Sequence, residues 1–136
     1  MRKYKLVEHT ADIGVVAYGD SLTEVFANAA YGLFSIITDL RRVRTMESQV
    51  VSVSAEDIES LLFNWLNQLI YIFDVRHVLF KKFEITRFGE KSLKATCRGE
   101  KYDPSRHEIK IGVKSATYYM LKVDRKKNTV QVIFDV

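Results

Sequence analysis

The sequence of 136 residues is poor in cysteine, proline and glycine, with one, one and six of each. The lone Cys97 can form no internal disulfide and has no second thiolate for a tetrahedral metal site. So little proline and glycine excludes collagen-like and linker-like chains. No signal peptide and no apolar run near the roughly 18 residues of a membrane span are present. We therefore expect a soluble cytoplasmic protein with no membrane partner.

Apolar residues make up 47% of the chain and aromatic residues 12%, which excludes intrinsic disorder. A chain of this length usually folds around one core, so we predict a single domain over residues 1–136. The net charge of +4 is unevenly divided. Residues 1–68 carry 6 Lys and Arg against 9 Asp and Glu, whereas residues 69–136 carry 15 against 8. The basic second half fits either an anionic partner or solvated strand surfaces.

Two segments have the apolar periodicity of amphipathic helices. The first begins after Ser21, which with Glu24 has capping-box spacing, and its apolar positions run to Ile37. For the second we predict Ser54 as the N-cap and an end near residues 74–77.

Seven segments have the composition or alternation of strands. They are residues 4–8, 14–18, 49–53, 79–87, 92–99, 111–123 and 129–134. With two helices, they predict an α+β two-layer sandwich, in which a mostly antiparallel or mixed β-sheet has both helices packed on one face. Residues 99–108 contain the only proline and are predicted to form an exposed loop.

Three clusters contain more ionisable side chains than their predicted turn, loop and strand end require. Glu8, His9 and Asp12 crowd one predicted turn, and Asp135 precedes Val136 directly after an apolar strand. Such oxygen clusters suit hard divalent cations, although frayed polar residues are the structural alternative. The loop at 99–108 adds Asp103 and His107, which a solvated turn also explains.

Other chemistries have no sequence support. The three histidines lack zinc-ligand spacing, and no phosphate-cradling glycine loop or nucleophile elbow is present. Cys97 lies in mid-strand and is predicted to be a packed sheet residue rather than a reactive thiol.

Blocks distributed along nearly the whole chain resemble the archease family. They comprise residues 8–14 (EHTADIG), 26–30, 38–39, 65–74, 99–103, 106–107, 113–118 and 132–136. Tyr119 departs from the family pattern, which usually has histidine there.

The resemblance implies an accessory protein rather than an enzyme. Archeases assist RtcB-type RNA ligases, which join tRNA exon halves, by promoting guanylylation of the ligase histidine from GTP and multiple turnover. The implied partner is therefore the ligase, with tRNA contacted indirectly or weakly and DNA not at all.

The resemblance also implies site residues. Metal-binding positions fall on Asp12, Asp135 and the terminal carboxylate of Val136, and Lys114 matches a position linked to ligase activation. Calcium and manganese are the expected metals. Possible supporting residues are Glu8, His9, Asp39, Asp103 and His107.

Two other functions remain open from the residues. A basic RNA-binding module would use Lys81, Lys82, Arg125, Lys126 and Lys127 together with Arg41, Arg42 and Arg44. A metal-dependent hydrolase would use the carboxylates, but the sequence offers no recognisable general base with a supporting partner.

Overall fold

Two helices and seven antiparallel strands form the structure, a computed structural model that describes residues 3–8 and 12–136. The predicted α+β class is confirmed. The strands are β1 (Tyr4–Glu8), β2 (Asp12–Tyr18), β3 (Glu47–Ser54), β4 (Val78–Phe88), β5 (Ser92–Lys101), β6 (Ser115–Asp124) and β7 (Thr129–Asp135). The helices are α1 (Leu22–Ile37) and α2 (Ile58–Arg76), and a short 3-10 helix spans Leu40–Arg42.

The strands divide between two sheets, with orders β1-β2-β7-β6 and β3-β5-β4. Each helix contacts both sheets: α1 packs against β2 and β4, and α2 against β6 and β3. The buried surface of α1 is accordingly broader than the stripe of a helix that covers a single sheet.

The start of α1 follows the predicted capping pattern. Ser21 Oγ accepts a hydrogen bond from Glu24 N at 3.2 Å. Glu24 Oε1 in turn accepts from the backbone N of Asp20 at 2.8 Å. The two side chains thus form the reciprocal pattern of a capping box, with the second bond to the residue before the N-cap instead of to the N-cap itself.

The predicted cap of α2 is wrong. Asp57, not Ser54, is the N-cap, and its side chain accepts from Ser60 N at 2.7 Å. Ser54 is instead the last residue of β3, and its carbonyl accepts from Asn64 Nδ2 at 2.9 Å. The predicted end of the helix is confirmed, since His77 closes it in the left-handed conformation at φ 58°.

Two predicted segments differ from the structure around β5 and β6. β6 begins only at Ser115, so residues 111–114 lie outside the strand. The segment 99–108 is not simply an exposed loop, because β5 continues to Lys101 and the side chains of Glu100 and His107 are buried. A mutual network of ionic hydrogen bonds, described below, compensates the burial of these polar groups.

The largest fully buried side chains of the core are aromatic. Trp65 is fully buried, and its indole Nε1 donates to the carbonyl of Phe26 at 3.0 Å, which joins α2 to α1. Cys97 is also fully buried, and burial raises the pKa of its thiol to about 12. The prediction of a packed, unreactive cysteine is therefore confirmed.

Within residues 3–8 and 12–136, no helix combines the length and the apolar character needed to cross a membrane.

Candidate functional site

Asp12 and Asp135 lie directly opposite each other in the pairing of β2 with β7. Ser115, the first residue of β6, pairs with Asp135 from the other side. The backbone of Glu8 ends β1 at the same end of the sheet, where it pairs with Ile13. Strand register thus brings residues from opposite ends of the sequence together at one sheet end.

The side chains of Asp12 and Asp135, hereafter the carboxylate pair, share the sheet face that points away from the helices. Val15 and Phe134 are fully buried on the helix side of their strands. Because side chains alternate along a strand, odd positions of β2 and even positions of β7 face the core. Directly paired antiparallel residues have Cβ atoms about 4.5–5.5 Å apart, so the two side chains start from neighbouring positions on this face.

Lys114 immediately precedes β6 and is exposed, and its backbone N donates to the carbonyl of Asp135 at 2.8 Å. The structure therefore joins Lys114 to the carboxylate pair through the main chain, although it lies outside the strand that was predicted to contain it.

Asn67 of α2 holds the adjacent start of β6 in place. Its Oδ1 accepts from Ala116 N at 2.8 Å, and its Nδ2 contacts the Ala116 carbonyl at 3.4 Å. Sequence reasoning did not select Asn67 as a functional residue. The available signal was an amide within a strongly apolar helix, since such a group needs a partner when it is partly buried.

The carboxylate pair has the donor chemistry of a site for a hard divalent cation. Two like charges at directly paired positions repel, and ionised carboxylates offer only acceptor oxygens, the ligands that Ca²⁺ and Mn²⁺ favour. No group of three or more His, Cys, Asp and Glu side chains suited to a metal occurs in the part of the chain that the structure describes. Val136, partly buried and next to Asp135, remains a predicted ligand through its main-chain oxygens.

The predicted supporting residues have different positions and roles. His9 lies outside the described residues, as does the side chain of Glu8. Asp39 caps the 3-10 helix and pairs with Arg41 at 2.9 Å, and the Arg41 hydrogen bond holds the pKa of Asp39 at about 2. Asp103 Oδ1 accepts from Ser105 Oγ at 2.7 Å and from Ser105 N at 2.9 Å, and these hydrogen bonds lower the pKa of Asp103. Both aspartates thus stabilise their own turns.

His107 belongs to a buried cluster centred on Glu100, hereafter the Glu100 network, which also includes Arg44 and Arg106. Arg106 Nη1 donates to both Glu100 oxygens at 2.9 and 3.0 Å, and Arg44 N donates to Oε2 at 2.7 Å. His107 Nδ1 accepts from Asp103 N at 2.9 Å, which assigns the ring proton to Nε2. This Nε2 lies 3.0 Å from Glu100 Oε2.

Burial raises the pKa of Glu100, but hydrogen bonds from Arg44, Arg106 and His107 outweigh it and hold the pKa at about 2. The carboxylate therefore remains ionised.

The Glu100 network begins the segment that leads to Lys114. Thr38 Oγ1 donates to the carbonyl of Glu108 at 2.7 Å, and Lys110 N donates to that of Ile37 at 2.7 Å. The segment is thus attached to the end of α1 before it reaches the carboxylate pair.

Position 119, where the family resemblance leads us to expect histidine, holds a tyrosine that is 63% exposed. It lies in an irregular stretch of β6 between Thr117 and Lys122, where the register with β7 shifts. The preceding Tyr118 stacks on Phe63 with ring centroids 4.1 Å apart.

Most cations of the predicted RNA-binding module interact with other groups in the chain. Arg41 pairs with Asp39, Arg44 with Glu100, and Arg125 with Glu90. Arg42 Nε and Lys81 Nζ donate to the carbonyls of Arg106 and Val43 at 2.8 and 3.2 Å. These eight residues therefore do not form one free basic surface.

The fold and the paired carboxylates define an α+β protein with a candidate acidic site at the end of one antiparallel sheet. The model of the archease protein family (MTH1598/TM1083) matches residues 4–136. The chain belongs to this family, as its sequence blocks predicted.

Curated relatives and solved structures support the same family assignment. Protein archease of Methanosarcina mazei is 39% identical, over 99% of this chain and 97% of that protein. Protein archease of Pyrococcus abyssi is 43% identical, over 92% and 90%. The solution structure of Methanobacterium thermoautotrophicum protein 1598 has a TM-score of 0.80 and 33% identity, with 100% of both chains covered. An archease from Thermotoga maritima, described as a possible chaperone, has a TM-score of 0.66 and 25% identity over 100% of this chain and 98% of that one.

Proposed function

We propose that this chain is an accessory protein that activates an RtcB-type RNA ligase. The observation that carries the proposal is the direct pairing of Asp12 with Asp135, with Lys114 hydrogen-bonded to the Asp135 backbone. This arrangement puts two anionic side chains and a lysine at one sheet end that faces away from the core. The description of the Thermotoga maritima relative as a possible chaperone also favours an accessory role over catalysis.

The activated step is guanylylation of the ligase. A ligase histidine bonds to the α-phosphorus of GTP, and pyrophosphate leaves. Asp12, Asp135 and Val136 would hold a divalent cation, which supplies positive charge toward phosphate oxygens. The contribution of this chain is then positioning at the ligase active-site mouth, since orientation alone lowers barriers substantially.

Removal of either charge of the carboxylate pair is expected to abolish most of the activation. We expect Asp12→Asn and Asp135→Asn to reduce stimulation of ligase guanylylation at least about tenfold, the scale of about 1.4 kcal/mol in the barrier. Transfer of labelled GMP to a cognate ligase, with and without this protein at varied manganese, measures the effect.

Glu47→Gln is the matched control, because Glu47 is an exposed carboxylate at the start of β3 in the other sheet. Full stimulation by both aspartate variants, with their folds intact, would exclude the proposal. GTP or RNA incubated with this protein alone should remain unchanged. Turnover in that sample would favour the metal-dependent hydrolase instead.

Deletion of Val136 is expected to weaken cation binding, because it changes the main-chain oxygens next to Asp135. Calorimetric titration with Ca²⁺ and with Mn²⁺ measures the loss, and Asp12→Asn/Asp135→Asn provides the reference for a site without the carboxylate pair. Unaltered affinity for both cations after the deletion would show that Val136 is not a ligand. The affinity of the double aspartate variant would then show whether Asp12 and Asp135 bind the cation without it.

A further inference from the structure

The outer face of the β3-β5-β4 sheet has four exposed cations that sequence reasoning did not group together. These are Lys82 and Arg87 on β4, and Lys94 and Arg98 on β5, hereafter the basic face. Inward neighbours in the same strands, such as Ala95 and Cys97, are fully buried. Because successive side chains of a strand point to opposite faces of the sheet, the four cations point away from the helices.

Strand register places these cations in two like-charged pairs. Lys82 is the direct partner of Arg98, and Arg87 is the direct partner of Lys94. Like charges at directly opposite positions destabilise a sheet. Among the ion pairs of the described residues, none includes any of these four side chains. The fold therefore leaves most of this repulsion uncompensated, and an external anion would relieve it.

The remaining side chains of the face indicate which anion fits. Ser48 and Ser52 on β3 are the partners of Arg98 and Lys94. Thr96 pairs with Val50 on one side and with the exposed Glu84 on the other, so one carboxylate lies between the two cation pairs and an excess of three positive charges remains on the face. Hydroxyl groups and basic side chains are the usual donors to phosphate oxygens. Val50 is the one exposed large apolar side chain in the described part of this face, which therefore lacks the aromatic and apolar centre of a protein interface.

The spacing of the two pairs suits an extended polyanion better than a single small ion. Lys94 and Arg98 are four residues apart on β5, which is about 13 Å along a strand. Phe83 and Phe88 of β4 pack against the core, so these rings are not on the face for stacking with bases. Binding of this kind depends on the phosphate backbone and carries little base specificity.

We propose that the basic face binds the phosphate backbone of single-stranded RNA. The choice of RNA over DNA rests on the proposed function, in which the partner ligase joins RNA. The site is separate in the fold from the carboxylate pair, because it occupies the other sheet. The basic face would then bring the RNA substrate to the ligase, and the carboxylate pair would promote guanylylation of the ligase.

Binding of an unstructured oligouridine, measured between roughly 50 and 200 mM salt without ligase, tests the proposal. Four phosphate contacts predict a slope of log K against log salt of about −3, at about −0.7 for each contact. Lys94→Gln/Arg98→Gln should halve this slope and weaken binding at low salt. The same variant should raise Tm slightly, because it removes both like-charged pairs.

Lys5→Gln/Lys122→Gln is the charge-matched control, since both lysines are exposed on strands of the other sheet and neither belongs to the basic face or to the RNA-binding module considered above. Equal losses in the two variants would show that net charge alone drives binding and would overturn the proposal. No RNA binding at low salt, tighter binding of the DNA of the same sequence, or equal binding of polyglutamate would also overturn it. The assay contains no ligase, so its failure leaves the guanylylation test of the proposed function unaffected.

RNA protection of lysines from acetylation provides a second readout that does not depend on any variant. We expect protection of Lys82 and Lys94. Lys126 and Lys127, the exposed turn lysines after β6 that the alternative RNA-binding module would use, should be modified at the same rate with and without RNA. Protection confined to the turn lysines would contradict the assignment.

Discussion

Gly99→Ala is expected to remove most of the folding stability. A Cβ at Gly99 would lie 1.8 Å from the carbonyl oxygen of Leu79 and 2.8 Å from Phe80 Cα. These atoms belong to the β4 backbone, where the pairing with β5 shifts register between Phe80 and Lys82. Relief of the clash requires the two strands to separate. A flexible side chain could yield at lower cost.

The expected loss in the free energy of unfolding is at least about 4 kcal/mol, since core overpacking alone typically costs about 1–3 kcal/mol. Domains have only about 5–15 kcal/mol of stability in total, so the variant should be largely unfolded at moderate temperature. Urea denaturation followed by circular dichroism measures the change.

Gly112→Ala is the matched control for Gly99→Ala. A Cβ at Gly112 would have nothing within 4 Å, and Gly112 is not in a positive-φ conformation. Alanine has less conformational freedom than glycine in the unfolded chain. Since the alanine is unstrained in the folded state, we expect the free energy of unfolding to rise by about 0.4–1 kcal/mol. A Gly99→Ala protein within 1 kcal/mol of the parent would contradict the close approach of β4 and β5.

Local patterns in the sequence predicted the helices and most of the strands. The apolar period located α1 and α2, and the Ser21–Glu24 spacing located the start of α1. These features depend on residues within a turn or two of one another. The N-cap of α2 was missed because several competing polar residues precede that helix, and only geometry distinguishes Asp57 from Ser54.

Features that depend on register could not be obtained from periodicity. The pairing of Asp12 with Asp135 depends on how β2 aligns with β7, and resemblance to the family supplied this pair before the structure did. No family block drew attention to the basic face, because its members come from separate strands and coincide only through β4–β5 pairing. Division of the strands between two sheets likewise depends on how both helices pack.

The Glu100 network shows how burial can change the interpretation of a charged segment. Glu100, Arg106 and His107 lie in a run of polar residues around the only proline, which is typical of an exposed loop. These side chains instead form hydrogen bonds with one another, and Glu100 and His107 are only 7% and 3% exposed. Composition indicates that such residues are polar, but it does not indicate whether they pair.

Glu100→Ala is therefore expected to destabilise the protein by about 3–5 kcal/mol, the usual cost of removing one partner from a buried ionic cluster. The change would leave Arg106 Nη1 without its acceptor and the His107 Nε2–H without its closest partner. Glu90→Gln is the control, since Glu90 forms an exposed ion pair with Arg125 and its loss should cost less than about 1 kcal/mol.

The stability conferred by Glu100 should also depend on pH, and Glu100→Gln should remove this dependence. Its pKa falls from an ordinary 4.5 to about 2 in the folded state, so the unfolded chain binds the proton more tightly. The contribution is fully present above pH 4.5 and is lost as pH falls through 2, amounting to about 3 kcal/mol. Urea denaturation at several acidic pH values should show a shallower pH dependence in Glu100→Gln than in the parent. Equal slopes would mean that Glu100 is not held ionised by Arg44, Arg106 and His107, because only a depressed pKa couples this side chain to acid unfolding.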